Sequence, residues 1–192
     1  MLPATVTRRV ETIPDVSKSG KRINGLFRLM EAPELWMQAY QKIYSNTGAT
    51  TPGVNRNTLD GFSDERVFNL IGLLTTDRYR PKPVRRTYLP KGDGRSRPLG
   101  IPTGDDKLVQ EVIRGLLERI YEPIFSERSH GFRPKRSCHT ALHEIDDRWT
   151  GVKWFVEADI EGFYNNLDHN ILLRALGEKI AEIGRASCRE RV

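Results

Sequence analysis

Two rows of apolar residues spaced four apart, Leu108-Val112-Leu116-Ile120 and Val109-Ile113-Leu117-Tyr121, commit the middle of this chain to one long helix lying on a core. Asp105 and Asp106 stand where negative charge favours a helix N-terminus, and Pro123 halts the helix. A helix with such a stripe is stable only when the stripe is covered. The 38% of apolar residues in the 192-residue chain is enough to cover it, whether in one medium domain or two small ones.

Other elements follow from local pattern. Residues 1–24 mix polar, basic, Pro and Gly residues without periodicity and read as a flexible or partner-dependent arm. From Pro33, a first-turn residue, Leu35, Trp36, Ala39, Tyr40 and Ile43 share one helical face up to about Ser45. Residues 46–57 read as a loop, and Val67, Leu70, Ile71 and Leu74 mark a second amphipathic helix. Residues 84–89 and 95–101 read as strands joined by the Gly92-Asp93-Gly94 turn, with Pro98 confining the second to an edge. A charged loop at 126–136 precedes a helix at 138–149 with Ala141, Leu142 and Ile145 inward. Residues 154–158 read as a buried strand ending at Asp159, and a helix begins near Asp168 with Ile171, Leu172 and Leu176 inward.

Charge narrows the partners. The formal net charge is +6, and residues 78–97 hold eight basic residues (Arg78, Arg80, Lys82, Arg85, Arg86, Lys91, Arg95, Arg97) against Asp93 alone. A field of that density attracts polyanions, nucleic acid first, although charge by itself fits a solvated face equally well. No stretch approaches the roughly 18 apolar residues of a membrane span, and the N-terminus lacks a secretory apolar run, so the expected location is the cytoplasm with no membrane partner. Cys138 and Cys188 stand fifty residues apart, which excludes a disulfide framework and a zinc ribbon. His139 and His143 have a helical metal-ligand spacing without further ligands, and a structural role is expected for both.

The most informative segment is Asp159-Ile160-Glu161-Gly162-Phe163-Tyr164. A carboxylate expected at the end of a buried strand is costly unless it binds something, and metal-assisted phosphoryl chemistry needs such a group. Spacing alone fits an ordinary turn aspartate as well.

The wider motif set separates these readings. Tyr88-Leu89-Pro90-Lys91, Arg97-Pro98-Leu99-Gly100-Ile101-Pro102-Thr103, Tyr121-Glu122-Pro123-Ile124-Phe125, Gly131-Phe132-Arg133-Pro134, Arg136-Ser137-Cys138-His139 and the run from Asp159 to His169 occur in this order. In that order the chain resembles the reverse transcriptases of group II introns, over residues 46–179. The resemblance implies an α+β fold: reverse-transcriptase fingers with a basic β-hairpin and packed helices, plus the first strand and helix of a truncated palm. The expected division is an N-terminal arm at 1–32, fingers at 33–125, the fingers/palm junction and start of palm at 126–182, and a tail at 183–192.

Carried onto this numbering, the resemblance implies that Asp159 is catalytic, the first palm carboxylate binding two Mg2+ ions in the complete enzyme. Tyr164 would lie under the incoming sugar, where phenylalanine is commoner. Lys91 and Arg97 would grip the nucleotide triphosphate, and Arg85, Arg86 and Arg95 would add nucleic-acid contacts. Phe132 and Arg133 would contact template, with core packing an open alternative for Phe132. Implied partners are an RNA template and DNA primer, deoxynucleoside triphosphates and intron RNA; a homodimer of the full-length parent stays open. The parent would be an RNA-directed DNA polymerase and maturase acting in splicing and mobility, the alternative being an RNA-binding maturase remnant without polymerase activity.

Two departures qualify the resemblance. Asn165 stands where many members have an aspartate, and the aromatic-Ala-Asp-Asp hairpin that completes the metal site does not occur before Val192. This chain alone is therefore expected to be inactive as a polymerase. Residues 183–192 read as the translation of a sequencing adapter, an artefactual tail.

Overall fold

The computed structural model describes residues 3–90, 92 and 94–182, which form two compact units. The first comprises the chain up to Thr12 together with Gly25–Arg119. The second comprises Ile13–Asn24 and the residues from Ile120 onward.

The elements run α1 (Ala4–Lys18), α2 (Leu26–Leu29), α3 (Pro33–Tyr44), α4 (Asp64–Thr75), β1 (Arg85–Pro90), β2 (Ser96–Ile101) and α5 (Gly104–Tyr121). A short 3-10 turn at Glu122–Ile124, α6 (Cys138–Arg148), α7 (Phe163–Asn166) and α8 (His169–Gly177) follow. Helices and a two-stranded sheet make the fold α+β, as the motifs implied.

In the first unit, Trp36 and Ala39 of α3, Val67, Leu70 and Leu74 of α4, and Leu108, Val109 and Val112 of α5 meet Ala49 and Leu59 in one buried cluster. Pro33 opens α3 because its missing N–H costs nothing in the first turn. Ser63 caps α4 by accepting the Arg66 N–H at 3.2 Å, and Asp64 and Glu65 follow in the favourable first turn. Of the two apolar rows of α5, one is buried throughout, whereas Ile113 in the other is exposed: the stripe is narrower than its sequence suggests.

The loop before α4 lies against the start of α5. A Cβ on Gly104 would fall 2.2 Å from the Thr58 carbonyl oxygen, so only glycine permits that approach. Arg66 seals the junction, with Nε 2.6 Å from Asp105 Oδ1 and Nη2 donating to the Thr58 carbonyl at 2.9 Å.

In the second unit, the Ser17 hydroxyl donates to the Ile120 carbonyl at 2.5 Å. Ile23 forms a parallel bridge with Ile180, bonded by Ile23 N–H to Lys179 O and Ala181 N–H to Ile23 O. A capping box between Ser137 and Thr140 starts α6, and Asp168 caps α8 by accepting the Asn170 N–H at 2.8 Å.

Three expectations are corrected. The N-terminal segment is not a flexible arm but largely the helix α1: Val10, Ile13 and Ser17 are buried at helical spacing, a stripe disguised by its serine and by Pro14 inside the helix. Residues 154–158 form no strand and are exposed, because a strand exists only with a hydrogen-bonded neighbour and none of the described residues pairs with them. Leu142 and Ile145 of α6, and Ile171 and Leu172 of α8, are exposed rather than inward; their helices form where expected, and Ala141 and Leu176 of the same faces are half-buried. The expectation for residues 183–192 lies outside the described residues.

Candidate nucleotide and nucleic-acid interface

The basic hairpin is built on a regular antiparallel register, with Arg85 opposite Ile101, Arg86 opposite Gly100 and Leu89 opposite Arg97. Directly opposed residues share a face, and faces alternate along each strand. Arg85 and Arg97 therefore project on one face and Arg86 on the other. Both strands are almost wholly exposed, so these charges stand in solvent rather than in a core.

The arginines differ in what they hold. Arg85 donates from Nε to the Pro52 carbonyl at 3.0 Å and so ties the hairpin to the preceding loop. Lys107 anchors the same loop through the Gly48 and Thr51 carbonyls at 2.8 and 2.6 Å, and burial, then the Arg85 charge, lowers its amine below the ordinary lysine value. Arg86 and Arg97 form no ion pair with any described residue. Arg95 lies beside the turn and makes contacts of its own. Lys91 lies outside the described residues.

The second unit presents Phe132. This aromatic is fully exposed and has a φ of 56°, a left-handed conformation unusual for a bulky side chain. Its neighbour Arg133 turns inward. The Arg133 guanidinium bonds both Glu122 carboxylate oxygens at 2.9–3.1 Å, donates to the Ser126 and Ser129 carbonyls at 2.6 and 2.9 Å, and lies 5.4 Å from the Phe125 ring centre. Its side chain is only 8% exposed. His130 adds a second tether between Thr140 at 2.8 Å and Glu144 at 2.9 Å, and that bond is the main cause holding the Glu144 carboxyl below its ordinary value. Arg133 thus holds the loop, and Phe132 is the group the loop displays.

Asp159 is exposed, not buried at a strand end, and its Oδ1 accepts the Ile160 N–H at 2.9 Å. Gly162, with a φ of 61°, turns the chain into α7, where Tyr164 is 85% exposed and meets Phe163 edge-on at 5.3 Å. Asp159 is a hard oxygen donor of the kind a divalent cation takes. It supplies one ligand and no more: among the described residues no three of His, Cys, Asp and Glu gather.

A buried polar group escaped the sequence reading. Asp106 is 4% exposed and accepts hydrogen bonds from the Thr103 hydroxyl at 2.6 Å, from the Lys82 N–H at 3.3 Å and from the Tyr79 hydroxyl. Burial, then this bond, pushes the Tyr79 phenol far up. The Thr103-Gly104-Asp105-Asp106 spacing, a helix-start signature, was the available signal.

Comparison with known proteins places this geometry. Residues 89–183 match the reverse transcriptase (RNA-dependent DNA polymerase) family. The group II intron-encoded protein LtrA of Lactococcus lactis subsp. cremoris is 48% identical over 159 residues, which is 82% of this chain and 26% of that protein. An uncharacterized 91 kDa protein in the cob intron of Schizosaccharomyces pombe is 41% identical over 149 residues, 78% of this chain and 18% of that protein. The nuclear intron maturase 1, mitochondrial, of Arabidopsis thaliana is 25% identical over 167 residues, 78% of this chain and 23% of that protein.

Packed helices beside a basic hairpin, carrying that match, make this chain a reverse transcriptase segment. Within the family it belongs to the group II intron-encoded type, and it spans about a quarter of the length of its Lactococcus relative. Reverse transcriptases use divalent metal ions. No helix among the described residues is long and apolar enough to cross a membrane.

Proposed function

We propose that this chain supplies the fingers, and the first residues of the palm, of an RNA-directed DNA polymerase that also serves its intron as a maturase in splicing and mobility. The full-length protein copies RNA into DNA from a DNA primer and deoxynucleoside triphosphates. Arg97 and Lys91 take the triphosphate, Tyr164 lies under the sugar, Phe132 stacks on template, and Arg86, Arg85 and Arg95 add phosphate attraction. Asp159 holds one of two Mg2+ ions together with carboxylates outside this chain; the ions supply charge neutralisation at the transferring phosphoryl group. A cytoplasmic location accords with the two widely spaced cysteines.

The observation that carries this reading is the exposed Arg97, which has no ion-pair partner among the described residues, on a two-stranded hairpin whose strands are almost wholly exposed. An arginine left without an acid partner suits a multiply charged phosphate, which it can bond at two points. For Arg133 the interior bonds favour a positioning role, so template contact in this loop rests on Phe132.

Arg97→Ala in the full-length protein tests the reading. Removing a charge-assisted contact costs roughly 2 kcal/mol, so kcat/KM for the nucleotide should fall about 30-fold. Intron RNA affinity, measured at one fixed salt concentration, should change less than about twofold, because one phosphate contact among several is a small part of that binding. A remnant that only grips RNA would show the reverse: no nucleotide-dependent step, and RNA affinity as the quantity that moves.

A further inference from the structure

Asp106 is a buried carboxylate for which the proposed chemistry has no direct use. Its partners come from both ends of the hairpin. Lys82, whose N–H it accepts, stands three residues before β1, and Thr103, whose hydroxyl it accepts at 2.6 Å, stands two residues after β2. The Thr103 oxygen in turn accepts the Asp106 N–H at 3.3 Å, and Thr103 is itself 1% exposed. Tyr79, on the segment leading from α4 to the hairpin, completes the set.

A carboxylate without water needs such donors, and the N-terminus of α5 adds its favourable dipole. The same arrangement fastens the hairpin at its root. Elsewhere the hairpin stands largely in solvent: apart from half-buried Thr87 and Ile101 every residue of its strands is exposed, and Arg85 bonding to Pro52 is a further tether. An uncovered two-stranded ribbon is marginal, so its direction is set where it is held. Six residues of strand rise roughly 20 Å, so a tilt of about 10° at the root carries the tip about 3 Å. A displacement of that size breaks a charge-assisted hydrogen bond, which needs heavy atoms within about 3 Å.

We propose that Asp106 is a positioning residue for nucleotide binding: a root clamp that bonds both ends of the hairpin and fixes the angle at which Arg97 is presented to a nucleoside triphosphate. This rests on the reading of the hairpin as the triphosphate grip. Asp106 touches no substrate itself; it acts through Thr103 and Lys82.

The test uses the full-length protein with spin labels on cysteines placed at Ser96 and Arg119, both exposed, and with Cys138 and every other cysteine of that protein replaced by serine. Thr103→Val removes the hydroxyl at nearly constant volume, and Thr103→Ser restores it. Tyr79→Phe, which removes a different bond to the same carboxylate, is the second variant. The label-to-label distance distribution should broaden in Thr103→Val and in Tyr79→Phe, and stay narrow in Thr103→Ser. In parallel, Thr103→Val should raise the nucleotide KM about tenfold, the equivalent of one modest contact, with kcat within about twofold. A narrow, unshifted distribution in both Thr103→Val and Tyr79→Phe overturns the clamp. A broadened distribution with unchanged nucleotide KM overturns the positioning role by removing the nucleotide reading beneath it, while leaving the clamp standing.

Discussion

Asp159→Asn in the full-length polymerase should lower kcat about 10³-fold, since a metal ion at a transferring phosphoryl group contributes several kcal/mol and the amide is a poor ligand for it. The substitution is close to isosteric. Asp159 is exposed, and its bond from the Ile160 N–H can be accepted by the amide oxygen of asparagine as well. Stability and RNA affinity should therefore stay within experimental error of the parent. Single-turnover primer extension with saturating nucleotide isolates kcat, and filter binding reports RNA affinity. A variant that extends primers at more than a tenth of the parental rate would remove Asp159 from the catalytic set.

Trp36→Ala should be the most damaging change to the first unit. Trp36 is fully buried among Val67, Leu70, Leu108 and Val112, and its indole N–H donates to the Met30 carbonyl at 2.7 Å. Truncation empties the largest side-chain volume in the core and leaves that carbonyl unpaired, at about 4 kcal/mol. Against a typical net stability of about 5–15 kcal/mol the loss is severe. Trp36→Phe keeps most of the packing and gives up the hydrogen bond and part of the ring, at roughly 1–2 kcal/mol. Native-state hydrogen exchange at the Leu108, Val109 and Val112 amides reads both. Exchange should accelerate about 10³-fold in the alanine variant and about tenfold in the phenylalanine variant. Equal, small accelerations would mean that the cluster around Trp36 does not hold α5.

Much of this architecture could be read from the sequence because it rests on local rules. The stripes of α3, α4 and α5, Gly92 and Gly94 between β1 and β2, and Asp168 before α8 each state their element within a few residues. Helix α1 was missed for the opposite reason: its buried stripe includes Ser17, satisfied by the distant Ile120 carbonyl, and a proline sits inside it. Residues 154–158 have strand composition, yet composition cannot provide the neighbouring strand that would pair with them. The apolar faces of α6 and α8 show the same limit, being visible in sequence while their burial is not decided by local pattern.

The site divides along similar lines. Arg97, Phe132 and Asp159 were singled out by motif, and all three are exposed. What motif could not convey is how neighbours share labour. Arg133 looks like a ligand contact beside Phe132, but Glu122 eleven residues earlier takes its guanidinium. Asp106 looked like a helix-start acid, and its additional bonds to Tyr79 and Lys82 depend on the path of the chain between α4 and β1. Roles set by partners distant in sequence require the fold; roles set by exposure and charge type do not.

The most direct test is RNA-templated primer extension by the protein made from the continuous reading frame of the source DNA that contains residues 1–182. With a DNA primer, deoxynucleoside triphosphates and Mg2+, the protein should synthesise complementary DNA along the RNA, and chelation of the metal should abolish the product. Tight binding of the RNA with no extension under any divalent ion would contradict polymerase function and leave the maturase remnant as the reading.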